Sequence, residues 1–287
     1  MMNRIKSVML LALLSAMLVA IGGMVAGENG ALIMFLISLG INFVSYWNCD
    51  KMALSSYHAR ELSERQVPEL FELVRELTQR ADMPMPRLYA IPSDVPNAFA
   101  TGRDENHAAV AVTEGLISLL NRDELAGVIG HELSHVKHRD TLIMTLSASI
   151  AGAISWIANM AQWAAIFGGG RDSDGEHGNP LVLLVVAVIA PIAAAVVQMA
   201  LSRSREFMAD AGGAAISGKP LALASALEKL DNYAHRRVMR DAEPSSCGLF
   251  IINPLCGVRS FSVNLFSTHP STEERIKKLR EIAAKMR

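Results

Sequence analysis

Two histidines four residues apart, with a glutamate after the first, stand at His131-Glu132-Leu133-Ser134-His135. On an α-helix, positions i and i+4 project from one face. Their imidazoles can therefore take two corners of a tetrahedral Zn²⁺. The intervening glutamate can take a proton from a metal-activated water. The bland alternative is two solvated histidines on a helix. Deciding between them requires a helix and a third ligand.

The helix is well marked. Asn121 can act as N-cap, with Glu124 three residues later as in a capping box. Leu125, Val128, Ile129, Leu133 and Val136 form one apolar stripe at helical spacing, flanked by His131 and His135. Lys137, His138 and Arg139 put positive charge near the C-terminal end, where the helix dipole favours it. Glu206 and Asp210 offer the rest, again at i and i+4. Glu206 could complete a His₂Glu site with the fourth position open. Asp210 could accept a hydrogen bond from the far nitrogen of a ligand histidine and fix its tautomer. An exposed acidic helix face would give the same spacing.

The elements that must position these residues lie in an unusual background. The chain has 287 residues and a net charge of −1, so no strong field points to nucleic acid. Charged residues are 19% and apolar ones 51%, which directs attention to a membrane. The three cysteines, Cys49, Cys247 and Cys256, have no C-x-x-C spacing and read as structural thiols compatible with a reducing compartment.

Four uncharged runs, 7–26, 30–49, 142–167 and 180–202, are each long enough to cross a bilayer. The first, behind Arg4 and Lys6, also fits a cleaved signal peptide. The second follows after only Gly27-Glu28-Asn29, so the pair reads as a transmembrane hairpin covering 1–50. Residues 142–202 form a second hairpin around a glycine-rich acidic loop, with a buried soluble hairpin as the competing reading. Between and after them, 51–141 and 203–287 read as two parts of one soluble unit. The two loops on the far side hold a single Lys or Arg, Arg171, of the 27 in the chain. That bias places both termini and the active site in the cytoplasm. It also agrees with the need for His135 and Glu206 to meet after an even number of crossings. At about 1.5 Å per residue the metal would lie within roughly 10–15 Å of the membrane edge.

His131-Glu132-x-x-His135, Glu206-x-x-x-Asp210, the stretch Asn97-Ala98-Phe99-Ala100-Thr101-Gly102, and His269-Pro270 with Arg275-Ile276 occur in one order. That order, with the hydrophobic segments around it, resembles the HtpX-type membrane zinc metalloproteases, relatives of the CAAX prenyl endopeptidases, over essentially the whole chain. The resemblance implies a gluzincin fold and a heat-shock protease of the cytoplasmic (inner) membrane engaged in membrane-protein quality control. It implies His269 as a candidate second oxyanion donor and Asn97 as a candidate holder of substrate backbone.

The fold class is thus a mostly α integral membrane protein, with four transmembrane helices and a cytoplasmic α+β protease domain. Residues 87–91 and 107–112 are β-prone and are predicted to pair as a small antiparallel sheet before the metal helix. Its edge could receive an extended substrate, or the sheet could be purely structural. The expected chemistry is peptide hydrolysis at one zinc ion held by His131, His135 and Glu206, with Glu132 as base and Asp210 behind a ligand. The expected partners are the lipid bilayer and membrane-protein or peptide substrates, and no nucleic acid. A narrow CAAX-type processing protease and a non-catalytic, chaperone-like zinc protein are the alternatives.

Overall fold

The computed structural model describes residues 2–147, 203–236, 251 and 270–286. Helix α1 (Met2–Trp47) is 46 residues long, yet Asn42 Nδ2 donates to Ser15 Oγ at 2.8 Å and to Leu11 O at 3.2 Å. In a straight helix residues 15 and 42 would stand about 40 Å apart. The chain therefore doubles back, and Gly27, with φ of +62°, adopts the left-handed conformation that such a reversal uses. Among the described residues Gly27–Trp47 is the one stretch long and apolar enough to cross a membrane, and Ser7–Ala20 is a shorter apolar one. The third and fourth expected spans fall outside the described residues except for 142–147, which is helical.

After α2 (Cys49–Ser56) and β1 (Arg60–Glu61), α3 (Pro68–Ala81) starts on a proline whose fixed φ suits the first helical turn. It stops at Asp82 in the left-handed conformation and buries Leu70, Leu73, Val74 and Leu77. The sheet then forms from β2 (Arg87–Ile91), β3 (Ala98–Thr101) and β4 (Ala109–Thr113) in the order β1-β2-β4-β3.

This corrects the expected antiparallel sheet. β2 and β4 run parallel, Arg87 opposite Ala109 and Ile91 opposite Thr113. The reason is that residues 98–101 are themselves a strand, antiparallel to β4 with Ala98 opposite Val112. The chain turns back once in β3 and again into β4, which inserts beside β2 in the original direction. All five residues of β4 are buried because each face is covered. Val110 and Val112 join the main core with Leu88, Ala98 and Ala100. Ala109 and Ala111 meet Phe99, Tyr89 and, from α2, Ala53 and Leu54.

A short α4 (Glu114–Leu119) leads to α5 (Arg122–Lys137), the helix that carries His131, Glu132 and His135. Its capping box is complete: Glu124 N–H donates to Asn121 Oδ1 at 2.9 Å, and Asn121 N–H to Glu124 Oε2 at 3.0 Å. The stripe read from the sequence understates its burial, since every residue from Glu124 to Val136 is buried. Helix α6 begins at Asp140, with 140–147 described. Then come α7 (Arg203–Ser217), α8 (Pro220–Arg236) and α9 (Thr272–Lys285). α5 lies against α3, β3, α7 and α8, which is why no face of it is left to solvent. Its crossing with α7 is very close: a Cβ on Gly213 would lie 2.7 Å from the backbone nitrogen of His131. Glycine there lets α7 bring its acidic residues against the two histidines.

Candidate metal centre

α5 projects His131 and His135 from one face, with their Nε2 atoms 3.2 Å apart and the rings nearly perpendicular. Across the α5–α7 crossing, Glu206 Oε2 lies 3.8 Å from His131 Nε2, and Oε1 lies 3.7 Å from His135 Nε2. One ligand atom from each of the three falls within 4.8 Å of the others. Ligands bonded to zinc at about 2.0–2.1 Å in a tetrahedron stand about 3.4 Å apart, so the separations suit that ion. The three residues are 1%, 3% and 4% exposed. That burial overturns both bland readings, the solvated histidines and the exposed acidic face.

Each histidine is backed by a carboxylate, and each carboxylate faces an arginine. His131 Nδ1 lies 2.9 Å from Asp210 Oδ1. Arg275, buried on α9, grips Asp210 with two bonds, Nε to Oδ2 at 2.8 Å and Nη2 to Oδ1 at 2.7 Å. Its remaining nitrogen, Nη1, donates to Ile251 O at 2.7 Å. His135 Nδ1 lies 3.3 Å from Asp140 Oδ2, and Arg205 Nη1 lies 3.7 Å from Asp140 Oδ1. With both Nδ1 atoms turned to carboxylates, both Nε2 atoms point at Glu206.

Glu132, between the histidines, is 5% exposed, and its Oε2 accepts the Ala100 N–H of β3 at 2.9 Å. Burial pushes the Glu132 carboxyl up from its ordinary value, against the lowering effect of the two histidines and the Ala100 N–H. His135 is driven the other way by its neighbours. Burial alone would lower its pKa, but the Asp140 hydrogen bond and the charges of Glu206 and Glu132 raise it to about 9. Burial likewise opposes the ionised form of Asp210, and the Arg275 guanidinium overcomes it, holding Asp210 down at about 2. Around the ligand atoms Glu132, Glu206, Asp140 and Asp210 face Arg205 and Arg275, all buried. The carboxylates outnumber the arginines, and that surplus has the sign a metal cation would balance. Geometry and charge both fit a metal ion at His131, His135 and Glu206.

The other sequence candidates fare differently. Asn97 is buried at the start of β3. Its backbone pairs with Thr113, and its Oδ1 accepts the Ile251 N–H at 3.4 Å. His269 lies outside the described residues. His138 caps the end of α5, with its Nδ1 2.7 Å from Ser134 O, and is exposed. The sequence reading missed Asp140, Arg205 and the Ala100 amide. Asp140 gave a faint signal as an acid within two turns of His135. Ala100 was marked only as part of the Asn97–Gly102 stretch, because a backbone N–H has no side-chain signature of its own.

Comparison with known proteins places these residues in context. The model of Peptidase family M48 matches residues 64–283. A Thermococcus kodakarensis protein named Protease HtpX homolog is 53% identical over 283 residues, covering 98% of this chain and 97% of its own length. A Burkholderia thailandensis protein of the same name is 52% identical over 285 residues, covering 99% and 98%. One from Syntrophobacter fumaroxidans is 51% identical over 282 residues, covering 98% and 99%. Among solved structures, the crystal structure of S. mikatae Ste24p is similar in fold, with a TM-score of 0.53 at 16% identity over 97% of this chain. The chain spans 65% of that protein's length.

Proposed function

The chain belongs to peptidase family M48 and is a metalloendopeptidase, and from that premise we propose a zinc enzyme of the cytoplasmic membrane that cleaves misfolded or damaged membrane proteins. The observation that carries the reading is the convergence of His131, His135 and Glu206 beside a buried Glu132. His131, His135 and Glu206 would hold the zinc ion, which would supply Lewis acidity for activating water and polarising a peptide carbonyl.

The chain's own residues do the rest. Glu132 takes the proton of the attacking water and passes it to the leaving amine. Its raised pKa suits both halves of that transfer, because a base that is too weak would not accept the proton. Asp210 and Asp140 keep the histidine Nε2 atoms turned inward. β3 is the last strand of the sheet, and the Ala100 N–H points away from β4 towards Glu132. We assign that outer edge to an extended substrate, added as a further strand. Asn97 is our candidate for holding substrate backbone, since the bond its Oδ1 makes to Ile251 N–H is the kind an incoming peptide amide would make. His269 is proposed as a donor to the oxyanion on the family resemblance.

The membrane reading is also ours. It sets four spanning helices, both termini and the active site on the cytoplasmic side, and a role in stress response. The test is self-cleavage of the full chain, purified in detergent with a chelator and then given zinc. Wild type is expected to fragment on zinc addition. Glu132→Gln is expected to bind zinc and stay intact, and Glu206→Ala to lose zinc. Wild-type turnover by Glu132→Gln would remove Glu132 from the role of base.

A further inference from the structure

We propose that Asp140 and Arg205 form a positioning pair for His135, joining the first turns of α6 and α7 behind the metal centre. The inference rests on the zinc reading above. Asp140 is the first residue of α6, just past the turn that ends α5, where Arg139 has φ of +58°. Arg205 lies in the first turn of α7, one residue before the ligand Glu206. One carboxylate oxygen of Asp140 faces His135 Nδ1 at 3.3 Å, and the other faces Arg205 Nη1 at 3.7 Å. Asp140 and Arg205 are only 2% and 6% exposed.

The placement has a mechanical consequence. Asp140 opens α6 and Arg205 lies in the first turn of α7, so the pair ties together the starts of two helices far apart in sequence. Two further bonds fix α6 to the strand beside Glu132: Thr141 Oγ1 donates to Gly102 O at 2.9 Å, and Thr101 Oγ1 lies 3.0 Å from Thr145 Oγ1. With α6 so anchored, Asp140 can hold His135 in one tautomer and orientation, with Nε2 towards Glu206. The Arg205 guanidinium lies at ion-pair distance from the other oxygen of that carboxylate. Without Asp140, His135 loses its orienting partner while His131, held through Asp210 and Arg275 on α9, keeps its own.

The test measures zinc affinity by chelator competition on the full chain in detergent, alongside kcat and KM for self-derived peptide. Asp140→Ala is expected to weaken zinc about 10–100-fold, the effect typical of removing a carboxylate behind a metal-bound histidine. Asp140→Asn, which keeps the acceptor but not the charge, is expected to fall between. With zinc saturating, kcat is expected to drop and KM to stay. In a double-mutant cycle Arg205→Ala should weaken zinc in the wild type and add nothing in Asp140→Ala. Zinc affinity of folded Asp140→Ala equal to wild type, or additive losses in the cycle, would overturn the pair. Should Asp140→Ala not fold, the near-isosteric Asp140→Asn decides by the same criterion. Wild type that binds no zinc would overturn the zinc reading and this inference with it. Wild type that binds zinc while the Asp140 variants bind it equally well overturns this inference alone.

Discussion

Arg275 is the residue on which the charge balance behind His131 turns. It is 2% exposed, meets both oxygens of Asp210, and also bonds a backbone carbonyl at Ile251. Breaking a buried pair by removing one partner strands the other charge and typically costs about 3–5 kcal/mol. Arg275→Met is therefore expected to lower stability by about that much in denaturant unfolding of the zinc-free protein. Arg275→Lys is expected to recover little, because an ammonium cannot reproduce the two-pronged grip. Adding Asp210→Asn to Arg275→Met should restore part of the loss by removing the stranded charge. A single variant as stable as wild type would show that Asp210 does not depend on Arg275. At this scale the candidate ligands were legible and the contacts behind them only half so. His131, His135, Glu206 and Asp210 stand out because a helix converts an i, i+4 spacing into a shared face, and the fold brings them together. Arg275 was marked in the sequence only through the family motif. Its helix spacing does not separate it from its solvated neighbours, and its role behind Asp210 shows only in the tertiary packing.

Among the elements, α5 was the easiest to foresee and the sheet the hardest. The α5 start is specified by Asn121 and Glu124 alone, a local device whose bonds need no other part of the chain. Glu124 then does a second job. Burial would raise its pKa, but Lys229 at 2.7 Å, the Asn121 N–H and Ser225 at 2.7 Å outweigh it and hold it below its ordinary value of 4.5. A carboxylate with a depressed folded pKa adds stability that is fully present above its unfolded value. That stability is lost as pH falls through the folded one. Glu124→Gln, which can still close the capping box, is expected to be less stable than wild type at neutral pH. The gap should narrow as pH drops below 4.5, read by unfolding at a series of pH values. A gap that does not change with pH would mean that the charge of Glu124 contributes nothing. The parallel pairing of β2 with β4 escaped the sequence because β3 is the four residues Ala98-Phe99-Ala100-Thr101. All four are buried, so no in–out alternation survives, and two are alanine, a poor strand former. Without β3 as a strand, two neighbouring β runs default to a hairpin, and the direction of β4 is inverted.

For the whole molecule, the question is how the centre sits relative to the apolar arms. The end of α1 is fastened to the strand region beside Glu132. The Arg103 guanidinium lies 4.6 Å from the centre of the Trp47 ring, and Asp50 pairs with Arg87 at the start of β2. From α2, Ala53 and Leu54 pack under Phe99 of β3. On the other side α6, whose first turn carries Asp140, is bonded to β3 and to Gly102. β3 is thus held between the element leaving the first apolar arm and the element entering the next run of apolar sequence. The apolar runs were plain in the composition. These ties were not, because each joins residues dozens of positions apart. On the proposed topology the ties fix the substrate edge at the membrane surface, so that it cannot swing away to meet soluble chains. A substrate tethered to the same bilayer then meets the edge at the high effective concentration of a short linkage. One cleavable sequence, presented in vesicles either on a membrane anchor or free in solution, is expected to be cut at least ~tenfold faster in kcat/KM when anchored. The ratio should collapse when detergent dilutes the anchored form away from the enzyme. Equal rates for the two forms in intact vesicles would mean that the β3 edge is open to solution, and that membrane proteins hold no privileged place among its substrates.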